Sequence, residues 1–313
     1  MINETYAKNL MQTGQISQEL KLAEKKYCEI NPKYREIPDV VPYNVQMDAR
    51  YSGFVFNPSL TITADRFGQK MSDLWTGMDN KENYDRRLQQ FGESWYYKDR
   101  PLVYTVNDYG YRAQNFSEIK SWKKTIPIFG CSMVYGIGNC EEDIFPTLLQ
   151  QSTNRQTVNF GFPSGSNHII LRNIVALINL VDPEDFPEYI VIGWTFSDRS
   201  PYYSFDNEVA LGPWQTVMNN PKLIEATEYY KSRNYQNYLG AVETYYIRET
   251  IKTLLKGRCK LIEYSFAFTH IFDCVKIEDP VKKNEDHLKA RDVMHPSIFW
   301  HKKVHDYILG EIV

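Results

Sequence analysis

Two blocks far apart in the chain hold side chains that together could make a nucleophile. Ser132 follows Gly130 and Cys131 in FGCSMVYGIG (129–138), at the end of a short apolar run, TIPIFG (125–130). A serine hydroxyl is a weak nucleophile until a base takes its proton. The block Asp292-Val293-Met294-His295-Pro296 supplies a base. An Asp three residues before a His on a tight loop can bond one ring nitrogen and fix the tautomer. The other ring nitrogen is then free to accept the Ser132 proton. The chain order Ser, Asp, His is one of several that give this geometry. Acyl transfer also needs donors aimed at the developing oxyanion, each worth about 3–4 kcal/mol. Three donors are expected: Ser132 itself, Gly161 in NFGFPSG (159–165), and Ser197 in TFSD (195–198). Gly161 is expected because no Cβ keeps a ligand from its amide. Asn159, Thr195 and Trp194, in or beside the same two loops, are the expected substrate-binding residues.

The elements that must position these residues follow from the pattern around them. TIPIFG, TVNFGF (157–162), EYIVIGW (188–194) and KLIEYSF (260–266) read as strands apolar along most of their length. Helical patterns separate them at 142–152, 167–181 and through most of 216–257, and another closes the chain at 296–309, with proline in its first turn. Apolar strands alternating with helices predict a parallel sheet covered on both faces. The expected fold is α/β, a three-layer α/β/α sandwich of residues 101–313. Ligands of such sheets bind outside the carboxyl ends of the strands, where Ser132, Gly161 and Ser197 fall. LVYTV (102–106) is a further strand, ending in the turn signal NDYG. Residues 1–100 read differently: a helix over 5–27, then loops punctuated by Pro32, Pro38, Pro42 and Pro58. This irregular extension is expected to wrap the main domain or contact a protein partner.

The four blocks FGCSMVYGIG, NFGFPSG, TFSD and DVMHPS resemble those of the SGNH hydrolases, also called GDSL-type esterases. VNDYGYR (106–112) resembles the hairpin that leads into the first block in some bacterial and phage members. The resemblance covers residues 102–313. It implies a flavodoxin-like sheet and hydrolysis of an ester by Ser132, His295 and Asp292, often of an acetyl ester on a carbohydrate. Three positions depart from the family pattern. Cys131 stands in place of the Asp before the serine, Ser197 in place of an oxyanion-binding Asn, and Trp300 where the last helix commonly has a small residue. Cys131, although a thiolate is the stronger nucleophile, reads as a small buried hydrophobe.

The remainder of the sequence narrows the function by exclusion. With 36 basic and 39 acidic side chains, the net charge of -3 gives no field for nucleic acid. No apolar run is long enough to span a bilayer. The N-terminus MINETYAKNL lacks a secretory leader, so a cytoplasmic or virion-associated protein is expected. Five cysteines without a CxxC pair predict neither a disulfide framework nor a zinc site. His301 and His305 are read as a solvated helix face, His168, His270 and His287 as structural or exposed, and Asp198–Arg199 as a loop-fixing ion pair. Gly130, Gly136 and Gly138 do not follow GxGxxG. No metal and no cofactor are expected. Phe162, Trp194, Phe196 and Trp300 are expected to wall a shallow acyl pocket. Two functions fit: an esterase acting on an acylated small molecule or glycan, and a non-catalytic structural or glycan-binding protein, for example a phage virion component.

Overall fold

The computed structural model describes residues 54, 68–72, 79–204, 207–213, 224–234, 238–265, 273–277 and 289–313. The helix expected over 5–27 lies outside them, as do His270 and His287. Ahead of the main sheet, β1 (Lys70–Ser72), α1 (Lys81–Phe91) and β2 (Val103–Thr105) form a small layer in which β1 and β2 pair antiparallel. LVYTV thus forms a strand outside the main sheet. Then come β3 (Thr125–Cys131), α2 (Ser132–Tyr135), α3 (Phe145–Thr153), β4 (Gln156–Phe162), α4 (Asn167–Leu180) and β5 (Tyr189–Trp194). The hairpin of β6 (Ser200–Ser204) and β7 (Asn207–Leu211) follows, an insertion with no counterpart in the sequence reading. Helices α5 (Ile224–Asn234) and α6 (Tyr238–Leu255), strands β8 (Lys260–Ser265) and β9 (Val275–Lys276), and α7 (Ile298–Ile312) complete the chain.

The main sheet has five parallel strands in the order β4-β3-β5-β8-β9. This is the flavodoxin-like order, with its switch point between the first and third strands, β3 and β5. Successive strand residues face opposite sides, and the core divides accordingly. Phe129, Ile190 and Ile192 pack with Ile174 of α4 and Ile251 of α6. Ile128, Val191 and Ile262 pack on the other side with Phe145 of α3 and Val304 of α7. The result is the expected three-layer α/β/α sandwich. Pro127 lies inside a central strand and has no N–H to donate, and the ladder from β3 to β5 begins only at Ile128. Pro146 falls in the first turn of α3, whereas Pro296 precedes Ser297, the N-cap of α7.

His301 is not on a solvated helix face. It is fully buried on the inner side of α7, and its Nδ1 accepts the Phe145 N–H at the start of α3 (3.3 Å). The N-cap residue there, Ile144, has no polar side chain to do this. With Nδ1 accepting, the proton resides on Nε2, which is buried without a hydrogen-bond partner among the described residues. Burial first, then the charges of Arg112 and His295, push the His301 pKa down to about 3. His305 faces elsewhere, bonded to Ser152 and Asp306. An unfolded histidine titrates near about 6.5, so between these values the unfolded chain holds a proton that the folded chain lacks. Stability therefore falls as pH drops through that window. We expect the melting temperature to decline from pH 6.5 toward pH 4, and His301→Gln to flatten that decline. Melting curves across pH check it; an equal slope in the variant would refute it.

Candidate active site

Ser132 is the first residue of α2, directly after β3, and is 6% exposed. Its amide opens a helix, where the first N–H groups have no intrahelical partner. The turn that leaves α2 folds back onto it: the Gly136 N–H donates to the Ser132 carbonyl (2.9 Å). Helix α2 lies close against β4 because position 161 is glycine. A Cβ there would stand 2.3 Å from the Tyr135 backbone nitrogen.

Asp292 is 1% exposed and organises the second block. Its Oδ2 receives the Nδ1–H of His295, while Oδ1 accepts the backbone N–H groups of Met294 (3.2 Å) and His295 (3.1 Å). That contact places the ring proton on Nδ1 and leaves Nε2 as the basic nitrogen. Between them Val293 has φ 63°, a left-handed conformation that is strained for a β-branched residue. Bonds from Ala290 N–H to the His295 carbonyl (2.8 Å) and from Val293 N–H to the Ala290 carbonyl (3.1 Å) hold the loop in that shape.

The two blocks meet through the turn after α2. Arg291 N–H donates to the Gly138 carbonyl (3.1 Å), and Asn139 Nδ2 donates to the Pro296 carbonyl (3.0 Å). Gly138 has φ 75°, and a Cβ on it would stand 2.8 Å from Asp292 Oδ1. Behind the turn the buried Arg112 donates to the carbonyls of Gly136 (2.7 Å), Tyr135 (3.3 Å), Asn139 (3.1 Å) and Val103 (2.7 Å). Its guanidinium lies 4.4 Å from the Tyr104 ring centroid, and the Tyr104 hydroxyl accepts the Gly138 N–H (3.0 Å). Arg112, Asn139, Tyr104 and Arg291 were absent from the expected site. Their partners are backbone groups or distant residues, which sequence spacing does not show.

The Gly161 N–H donates to Asn159 Oδ1 (2.8 Å), and Asn159 Nδ2 donates to the Val134 carbonyl (3.0 Å). The Asn159 side chain thus ties β4 to α2 and occupies the Gly161 N–H. Thr195 is fully buried, with its N–H and carbonyl bonded to the Asn167 amide (3.0 and 3.1 Å). Trp194 is also fully buried and donates to Glu263 Oε1 (3.0 Å), so it does not line a substrate surface. Trp194 and Phe162 pack on one side of the sheet and Trp300 on the other, so they cannot together wall an acyl pocket. Ser197 is half-buried, and its hydroxyl makes no hydrogen bond among the described residues. Asp198 accepts from the Tyr230 hydroxyl (3.4 Å) and Arg199 donates to Thr195 Oγ1 (3.2 Å), and no ion pair joins the two among the described residues. No hydrogen bond joins Ser132 to His295 among the described residues. Such contacts are often long in unliganded enzymes and tighten with substrate.

Two further clusters could suggest chemistry. Ser152 Oγ, His305 Nε2, His305 Nδ1 and Asp306 Oδ1 form a hydrogen-bonded series (2.9 Å each) on the surface. Ser152 lies inside α3, so its amide is committed to the helix. Cys140, Glu142 and Asp143 bring possible metal ligands within 4.8 Å. Arg100 already pairs with both carboxylates (2.7 and 3.4 Å).

The sequence matches no protein-family profile and no curated protein. Several solved structures are similar. The psychrotrophic esterase EstA from a Pseudoalteromonas species is 12% identical, with 60% of this chain and 96% of that one covered, at a TM-score of 0.38. A member of the lipolytic G-D-S-L family from Veillonella parvula is 11% identical, with 60% and 74% covered, at 0.29. A carbohydrate esterase, described as having divergent catalytic and non-catalytic binding functions, is 11% identical, with 68% and 80% covered, at 0.34. What this site can do follows from its own side chains.

One consequence concerns α2. We expect Gly161→Ala to destabilise the protein by about 2–3 kcal/mol, because backbone rather than a flexible side chain must yield. Denaturant unfolding checks this; a loss below about 0.5 kcal/mol would show that α2 does not depend on that contact.

Proposed function

We propose that the protein is a serine ester hydrolase in which Ser132 is the nucleophile, His295 the general base and Asp292 the residue that orients it. The observation that carries this reading is the buried Asp292 carboxylate bonded to His295 Nδ1, with its loop tied to the turn after Ser132. In this reading Ser132 Oγ attacks the ester carbonyl while its proton moves to His295 Nε2. The imidazolium is stabilised by Asp292 and returns the proton to the departing alkoxide. Water then repeats the sequence and releases the acid. The Ser132 N–H and the Ser197 hydroxyl are the donors for the oxyanion. Gly161 could join them only by giving up its bond to Asn159.

A short acyl group fits best, because Ser132 is almost enclosed. An acetyl ester, with a carbohydrate as its alcohol, is the form to which the four sequence blocks point. A second reading, a non-catalytic binding protein with the same fold, draws on the missing Ser132–His295 bond and the occupied Gly161 amide. Under that reading the N-terminal segment would serve a protein partner or a virion.

A fluorophosphonate probe separates the two, since it reacts only with an activated serine. We expect labelling at Ser132 by peptide mapping, unchanged in Ser152→Ala and lost in folded Ser132→Ala. No labelling of Ser132 favours the binding protein. Asp292→Asn, which keeps shape but frees the tautomer, should lower kcat by about two to four orders of magnitude with little change in KM. Among p-nitrophenyl esters, acetyl should turn over much faster than octanoyl; the reverse order would mean an open acyl groove.

A further inference from the structure

Asp79 and Arg291 form an ion pair across 212 positions of sequence, with Arg291 Nε on Asp79 Oδ1 (2.8 Å) and Nη2 on Oδ2 (2.7 Å). Both residues are buried, at 1% and 3% exposed. A guanidinium gripping a carboxylate by two parallel bonds fixes direction as well as distance. Arg291 immediately precedes Asp292, and its own N–H is bonded to Gly138 in the turn after α2. Asp79 stands on a rigid support. The next residue, Asn80, caps α1 by accepting the Asn83 N–H (2.8 Å), and Tyr84 of α1 lies 5.9 Å from the Arg291 guanidinium.

We propose that Asp79 is a positioning residue of the candidate active site: through Arg291 it fixes where Asp292 and His295 stand and sets the charge beside them. The inference rests on the reading of Ser132, His295 and Asp292 given above. Asp79, Arg291 and Asp292 together carry one net negative charge, which a protonated His295 neutralises during proton transfer. Without the Asp79 charge the Arg291 guanidinium is no longer neutralised, and its positive charge opposes the imidazolium that Asp292 stabilises.

The other titratable groups near the loop do not replace Asp79. Burial pushes the phenols of Tyr97 and Tyr104 upward, so both stay neutral. His301 on α7 is neutral, and Arg112 behind the α2 turn adds positive charge only. The expected effect of removing Asp79's charge is therefore a less basic His295. Segment 79–100, read from sequence as part of an irregular extension, also supplies the Tyr97 hydroxyl on Asn139 Oδ1 (2.8 Å), and β2 supplies the Tyr104 hydroxyl that accepts the Gly138 N–H.

The test is the His295 ring titration followed by NMR in the full chain, assigned with His295→Gln, beside kinetics on p-nitrophenyl acetate. In Asp79→Asn the titration should move down by about half to one pH unit. At the same time kcat should fall about 10- to 100-fold, with KM changed less than about twofold. Asp79→Glu should restore the titration. A folded Asp79→Asn with the wild-type titration and kcat overturns the proposal. If that variant does not fold, Asp79→Asn with Arg291→Gln removes both charges and leaves no unpaired ion. It should then keep the titration but lose kcat, and wild-type kcat would overturn positioning. The titration needs no turnover, so the outcomes are separable. Failure of the probe to label wild-type Ser132 defeats the esterase reading, whereas an unmoved titration defeats this one.

Discussion

The site depends on one seam: the backbone contact between the turn after α2 and the loop that carries Asp292 and His295. Arg291 N–H to the Gly138 carbonyl and Asn139 Nδ2 to the Pro296 carbonyl are its two bonds. Between them there is no room for a side chain at position 138, where a Cβ would meet Asp292 Oδ1 at 2.8 Å. Ser132 belongs to the sheet, because it follows β3 without a linker. His295 has no such anchor, and its loop contains a left-handed valine that local preference disfavours. The relation of Ser132 to His295 is therefore set by the seam, and everything that stiffens the seam bears on the proposed chemistry.

Arg112 shows how the seam is stiffened. A buried guanidinium without enough partners is costly, yet this one donates to four carbonyls and lies against the Tyr104 ring. Three of those carbonyls, from Tyr135, Gly136 and Asn139, belong to the end of α2 and the turn after it. Helix ends leave carbonyls unpaired, and a four-residue helix is nearly all ends. Arg112 gathers these groups into one rigid corner and places a positive charge there, which is part of why His301 stays neutral. The same corner thus joins fold stability to the electrostatics around His295.

What the sequence disclosed divides along a physical line. The central strands were legible because two-sided burial leaves an unbroken apolar run, and TIPIFG and EYIVIGW are such runs. The Asp292–His295 relation was legible because it is local, three residues on one loop. The β6–β7 hairpin was not legible, since SPYYS and NEVAL lack a strand-like apolar pattern. His301 misled for a related reason: polarity on a helix suggests solvent, whereas its ring is spent on a helix end that Ile144 cannot cap. Trp194 misled in the opposite sense. Its place at the end of β5 suggested a ligand surface, but the indole turns into the core and finds Glu263. The Arg112 contacts with the α2 turn and the Asp79–Arg291 pair could not be seen at all, because no local pattern marks a side chain whose partner is more than twenty or two hundred residues away.

Ser152 stands in contrast to Ser132. It has the complete hydrogen-bonded series to His305 and Asp306 that Ser132 lacks. Yet it sits within a regular helix, on the surface, with its amide used by α3. Any oxyanion formed there would be solvated by water rather than by fixed dipoles, and fixed dipoles are usually the largest part of acyl-transfer catalysis. Ser132 has the reverse inheritance. Its hydroxyl makes no hydrogen bond among the described residues, but it stands at the switch point of a parallel sheet, at the opening of a helix, with a buried Asp–His pair on a loop tied to the next turn. A serine–histidine bond can form when substrate binds. A strand end, a helix start and an enclosed carboxylate cannot be assembled that way. The fold has placed them beside Ser132 and not beside Ser152.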